Sequence, residues 1–79
     1  MLTAPQIRAA RALLAWSQPT LATASGLSLP TIVRMEGAQG PGRSSAANVA
    51  AVQGALEGAG VVFIPADDVL GPGVRLKQA

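Results

Sequence analysis

Apolar residues recur at helical spacing in the first part of the chain. Ile7, Ala10 and Leu14 lie three or four positions apart, which predicts a helix over about 4–15 with these side chains facing inward. A hydroxyl residue followed two positions later by proline occurs three times, at Thr3, Ser17 and Ser28. A hydroxyl oxygen can accept from the first-turn amides of a helix, and proline has no amide to leave unpaired there. The repeated pattern therefore predicts three helix starts.

The second and third of these starts predict two short helices, over 18–25 and 29–36, that are separated by Gly26. Glycine readily takes the left-handed backbone conformation that closes many helices, and Leu27 then faces the core. Two short helices joined by such a turn are typical of a helix-turn-helix, here over about 18–37.

The next segment, 37–43, contains three glycines and a proline, which predicts an exposed and adaptable loop. Ser44 or Ser45 then caps a fourth helix through about 59, and Gly60 ends it. Glycines inside this helix weaken it, so its stability must depend on packing.

The run 61–64 is rich in β-branched residues, and 74–77 alternates apolar with polar positions, which predicts a hairpin. An isolated two-stranded hairpin is marginally stable, and the first strand is apolar on both faces. We therefore expect the hairpin to pack on the helices and on a second copy of the chain. The candidate dimer-interface residues are Val61, Val62, Phe63, Ile64, Val74 and Leu76.

The pattern as a whole predicts a mainly α fold, with four helices over 1–60 and a short C-terminal β-hairpin over 61–79. A chain of 79 residues buries a modest fraction of its surface, which also favours a homodimer. The absence of cysteine and histidine removes the usual metal ligands and general base, so we expect neither an enzyme nor a metal or cofactor. A domain of this size leaves no room for a separate ligand domain, so we expect no small-molecule ligand either. Short apolar runs predict no membrane span, and the lack of a secretory-signal layout favours the cytoplasm.

Charge alone says little about a partner. Six basic residues stand against four acidic ones, a formal charge of +2. Any affinity for nucleic acid must therefore depend on where the few cations lie.

The residues over about 7–56 resemble Cro and phage-repressor type bacterial regulators, often called the xenobiotic-response-element family. The resemblance is carried by Arg8 and Arg11, Trp16-Ser17-Gln18 with Leu21-Ala22, Ser25-Gly26-Leu27-Ser28, Thr31-Ile32, and Met35-Glu36-Gly37. It implies a repressor-like helix-turn-helix domain that binds double-stranded DNA, with the third helix in the major groove and the second across the backbone.

The resemblance also implies roles for single residues. Gln18 matches a position that contacts phosphate and braces the recognition helix, and Arg43 falls where the loop after that helix touches the backbone. Arg34 faces the groove, where its fork can meet O6 and N7 of guanine together. Two roles stay open for Arg8: an exposed charge in solvent, or a contact to a backbone phosphate. The full set of candidate DNA-binding residues is Gln18, Ser28, Leu29, Pro30, Thr31, Arg34, Arg43 and Arg8.

Arg11 and Glu36 have the separation at which this family forms an internal ion pair, so we expect them to join the first helix to the third.

The predicted function is a sequence-specific transcriptional regulator that binds a pseudo-palindromic operator as a homodimer. The alternative is a protein-interaction module, antitoxin-like or an adaptor, built on the same helix-turn-helix scaffold. It is suggested by three apolar residues on the third helix that could contact another protein: Leu29, Pro30 and Val33.

Overall fold

The computed structural model describes residues 2–78 and confirms a mainly helical chain with a small antiparallel hairpin near its C-terminus. Its elements are α1 (Ala4–Leu14), α2 (Gln18–Ser25), α3 (Leu29–Met35), a 3₁₀ turn (Gly40–Arg43), α4 (Ala46–Gly58), β1 (Val61–Ile64) and β2 (Gly73–Leu76). The predicted boundaries hold to within one or two residues.

All four α-helices of the described residues start at a hydroxyl cap. The side-chain oxygens accept backbone amides three positions on, over 3.1 to 3.3 Å, in the pairs Thr3 and Gln6, Ser17 and Thr20, Ser28 and Thr31, and Ser45 and Asn48. The predicted starts are therefore confirmed, and Ser45 rather than Ser44 begins the fourth helix.

The turn of the helix-turn-helix has the predicted geometry. Gly26 takes the left-handed backbone conformation at φ +73° and closes α2. The amide of Leu27 then donates to the carbonyl of Ala22 over 3.1 Å, and the Leu27 side chain packs against the core. This places α3 against α2 with one face left to solvent.

Every α-helix contributes to a single buried cluster, and β1 closes it. The members are Leu2, Ile7, Ala10, Leu21, Ala22, Ile32, Met35, Val52, Leu56 and Val61. Leu14 and Trp16 are half-buried at the edge of this cluster. Burying one large aliphatic side chain is worth about 1.5–3 kcal/mol, so this cluster is the main stabilising feature of the fold.

The segment 37–43 is more ordered than its composition predicts. Gly40 has φ +64° and donates to the carbonyl of Gly37 over 2.9 Å, which turns the chain into the 3₁₀ turn. Pro41 is buried, and its carbonyl accepts the amide of Ser44 over 2.9 Å. The prediction of an exposed, adaptable loop is therefore wrong in part, because proline supplies an apolar anchor there.

The hairpin register divides the predicted dimer-interface residues between a buried face and an exposed face. Val61 pairs with Leu76 and Phe63 with Val74, and opposed residues share one face of an antiparallel pair. Val61 is only 2% exposed, and Phe63 and Val74 pack against the same core. Val61 is therefore covered within its own chain, and Phe63 and Val74 are half-buried, because this face of the hairpin packs on the helices. The candidate interface residues that stay exposed are Val62, Ile64 and Leu76.

Gln6 fastens the hairpin to α1, which the sequence pattern does not predict. Its buried amide donates to the carbonyls of Gly73 over 3.1 Å and of Ile64 over 3.4 Å. Its carbonyl oxygen accepts the amide of Thr3 over 2.9 Å. One glutamine thus caps a helix and holds both strands.

Candidate nucleic-acid interface

The exposed face of α3 is the face that the sequence assigns to a DNA groove. Because α3 turns Ile32 and Met35 into the core, the helical period leaves the opposite side in solvent. Leu29 is 40% exposed and Val33 47% exposed. Four further candidates line this side: Ser28, Pro30 and Arg34 are exposed and Thr31 is half-buried.

Arg34 is held by its neighbours on the first turn of α3. The hydroxyls of Ser28 and Thr31 are hydrogen-bonded over 2.8 Å, and Nη2 of Arg34 donates to Oγ1 of Thr31 over 3.3 Å. A guanidinium held at one nitrogen loses less side-chain freedom when its remaining donors meet a ligand. The predicted base reader is therefore partly preorganised.

Glu36 joins three helices beneath this face. Arg11 binds both carboxylate oxygens over 2.7 Å, and Nε2 of Gln18 donates to one of them over 3.2 Å. The expected Arg11–Glu36 ion pair is thus present, and the Gln18 contact fits the bracing role. The hydrogen bond to Glu36 raises the pKa of Arg11 above its ordinary value, although partial burial opposes the shift.

Two further arginine contacts complete this arrangement. Nη1 of Arg11 donates to the carbonyl of Trp16 over 3.0 Å, which ties the junction between α1 and α2 to the ion pair. Arg8 donates from Nη1 to the backbone carbonyl of Glu36, at the end of α3. Arg8 therefore has a partner inside its own chain, which favours a structural role over a phosphate contact, although its side chain stays exposed.

A cleft of about 530 Å³ opens beside the end of α3 and brings Arg34 and Arg43 to one place. Its walls are α3, the 3₁₀ turn and the first turn of α4. The lining residues are Thr31, Arg34, Gly37, Ala38, Gln39, Gly40, Arg43, Ser44, Ser45 and Asn48. Two guanidiniums next to the positive end of a helix dipole are suited to a phosphate group.

The sequence analysis missed Gln39 and Asn48 as members of this cleft. Asn48 is three positions after the cap Ser45, so the predicted helix start could have identified it as a first-turn residue. The sequence does not show that the first turn of α4 packs beside α3, because that proximity is a tertiary contact. Gln39 offers no comparable local signal.

Comparison with protein-family models, with curated proteins and with solved structures found no match for this chain. Within residues 2–78, no helix has the length and apolar character needed to cross a membrane. The same residues contain no group of three acidic side chains placed to hold a metal ion.

Proposed function

We propose that this protein binds double-stranded DNA and regulates transcription, with α3 in the major groove and α2 across the backbone. The observation that carries the proposal is the exposed face of α3 with Arg34 and Arg43 lining one cleft at its end. The major groove of B-DNA, roughly 12 Å wide, admits an α-helix. A solvent-facing helix braced from below by a buried ion pair suits that use.

Each cation has a separate part in this proposal. Arg34, oriented by Thr31, reads guanine through its O6 and N7 acceptors. Arg43 meets a phosphate from the other side of the cleft. Leu29 and Val33 contribute only contacts to thymine methyl groups or to groove shape, so most discrimination depends on Arg34.

The proposed complex is a homodimer on a pseudo-palindromic operator, with the two recognition helices about 34 Å apart. The hairpin is the dimerisation element, since it leaves apolar side chains in solvent. We place this dimer in the cytoplasm, where it acts by occupying its site rather than by catalysis.

The test is selection of a bound sequence from random double-stranded DNA, followed by affinity measurements on Arg34→Ala. Loss of one bidentate guanine contact costs about 1–3 kcal/mol, or roughly 5- to 150-fold in affinity, and the homodimer loses two such contacts. The matched control is Arg75→Ala, which removes an exposed cation on β2, away from the cleft. Circular dichroism checks that both variants fold. Equal affinity for wild type and Arg34→Ala would refute the assignment of Arg34.

A protein-interaction module is the second candidate, and the exposure of Leu29 and Val33 favours it. Two apolar side chains on a solvent-facing helix can form the centre of a protein interface. If the folded protein enriches no DNA sequence, the DNA proposal fails and this alternative becomes the better explanation of the α3 face.

A further inference from the structure

The exposed face of α3 has an apolar side and a polar side. At about 3.6 residues per turn, Leu29 and Val33 lie one above the other along one side, and we call them the apolar pair. Arg34 and Thr31 lie along the other side, and Pro30 separates the two. Leu29 is 40% exposed and Val33 47% exposed, so both can contact a base in the groove. The face therefore offers apolar contact and a guanidinium next to each other.

Thymine is the unmodified base whose groove edge suits the apolar pair, because it presents a C5-methyl group in the major groove. Cytosine has no methyl group there, but 5-methylcytosine carries one at the same C5 position. On their groove edges these two methylated pyrimidines differ at position 4, where thymine has an acceptor oxygen and cytosine a donor amino group. To distinguish them by that edge, a protein needs a side chain that hydrogen-bonds at position 4.

The polar groups beside the apolar pair are engaged within the protein. The hydroxyls of Ser28 and Thr31 are hydrogen-bonded to each other over 2.8 Å, and Oγ of Ser28 also accepts the amide of Thr31 over 3.3 Å. Oγ1 of Thr31 accepts Nη2 of Arg34 over 3.3 Å. Residues 28–35 contain no acidic side chain that could accept from the cytosine amino group. The apolar pair can therefore recognise a methyl group without recognising the atom at position 4.

We propose that the α3 face reads the C5-methyl group itself, so that it accepts 5-methylcytosine in place of thymine and binds unmethylated cytosine more weakly. Val33 and Arg34 are consecutive residues, which places the methyl group on the base pair next to the guanine that Arg34 reads. Occupancy of an operator with cytosine at this position then depends on whether that cytosine is methylated. This inference rests on the proposed DNA binding and names the base modification that regulates it.

The test compares four versions of a DNA site obtained by selection, which differ at the pyrimidine next to the guanine in each half-site. This position carries thymine or uracil opposite adenine, and 5-methylcytosine or cytosine opposite guanine. Within each of these two comparisons, the duplexes differ only by one methyl group per half-site. Fluorescence anisotropy at one salt concentration gives the dissociation constant of each duplex.

We expect thymine to be preferred over uracil, and 5-methylcytosine over cytosine, by the same factor. That factor is about fourfold for each buried methyl group, or roughly fifteenfold for a site with two half-sites. The thymine and 5-methylcytosine duplexes should bind with similar affinity, because the apolar pair contacts the same group in both.

Variants assign the effect to the apolar pair. Leu29→Ala combined with Val33→Ala should bring both preferences close to one, and alanine is a good helix former, so α3 is retained. Leu13→Ala is the matched control, because Leu13 is 44% exposed but lies on α1, and it should leave both preferences unchanged. Arg34→Ala should weaken all four duplexes by a similar factor and also leave the preferences unchanged. Circular dichroism checks that each variant folds.

Three results would overturn the inference and leave the DNA proposal intact. They are equal affinity for the four duplexes, a methyl preference with thymine but not with cytosine, and a methyl preference that persists in the variant without the apolar pair. A selected half-site with no thymine next to guanine would also count against it. If selection enriches no sequence at all, both the DNA proposal and this inference fail.

Discussion

At the scale of single residues, Glu36 has the largest structural role. Its carboxylate is buried beneath the face of α3 and accepts from Arg11 and Gln18. A buried charge is costly unless it is paired and hydrogen-bonded, and these donors meet that requirement. The orientation of α3 therefore depends on one carboxylate.

Arg11→Ala should destabilise the protein by about 3 kcal/mol, because it leaves the Glu36 charge buried without its main partner. Arg11→Met combined with Glu36→Leu should recover much of that loss, since it removes both charges and keeps apolar volume. Urea denaturation of the single and double variants measures both effects. A double variant less stable than Arg11→Ala would contradict this explanation.

Asp67 gives a prediction for pH dependence. The amides of Leu70 and Val69 lower the pKa of this exposed carboxyl below 3.8. The charged form is thus favoured in the folded loop, so the loop contacts are complete above that pH and are lost as the pH falls through the lowered pKa. NMR titration of the Val69 and Leu70 amides should follow this transition, and Asp67→Asn should abolish it.

At the scale of elements, the hairpin is held by α1 in addition to the hydrogen bonds between its own two strands. Gln6 connects the start of α1 to one residue from each strand. Its neighbours along the chain suggest only a capping residue, because glutamine three positions after threonine is the usual capping-box pattern. The contact to the strands arises from residues more than fifty positions away.

Gln6→Met should cost about 2 kcal/mol, since it removes the donor for two carbonyls in a partly buried site. Gln53→Met is the matched control, because Gln53 only bonds Glu57 one turn away on α4 and its loss should cost less than about 0.5 kcal/mol. Hydrogen exchange should also become faster at Lys77, whose amide donates to Gly60 beside the hairpin. Equal costs for the two variants would contradict the fastening role.

Two glycines should respond to alanine in opposite directions. Gly26→Ala should destabilise by about 1 kcal/mol, because its φ of +73° strains any side chain although the space around it is open. Gly54→Ala should stabilise by about 1 kcal/mol, because Gly54 lies inside α4 and nothing beyond its chain neighbours and the backbone of its own helix lies within 4 Å of the added carbon. Thermal or urea unfolding of both variants provides the check.

At the scale of the whole molecule, a charge of +2 is too small to attract DNA without local concentration of cations. The fold concentrates positive charge locally, because Arg34 and Arg43 line one cleft. Arg8 is a further candidate for a phosphate contact, but it donates to the carbonyl of Glu36. The net electrostatic contribution per protomer is correspondingly modest.

Two cations per protomer predict a shallow salt dependence, with the logarithm of affinity falling by about 4 per tenfold rise in salt for a dimer. Three cations per protomer, with Arg8 included, would give about 5. Measuring the affinity for a selected DNA site at several salt concentrations distinguishes the two slopes. Arg8→Ala should leave the slope unchanged. A slope near zero would contradict phosphate binding altogether.

The local chemistry of the chain determined the helices, the turn and the hairpin. Hydroxyl caps, proline in the first turn and Gly26 act within a few positions, so the sequence alone predicts where these elements begin and end. The Arg11–Glu36 ion pair is the predicted contact between side chains far apart in the sequence. Its prediction came from the family resemblance rather than from the local pattern.

The tertiary structure decided which faces are covered. A run such as 61–64 is apolar on both sides, and only its packing on the helices buries Val61 and leaves Val62 in solvent. The same holds for the cleft around Arg43 and for the exposure of Val69. Burial and proximity depend on contacts between residues far apart along the chain, and these are set by packing rather than by local preference.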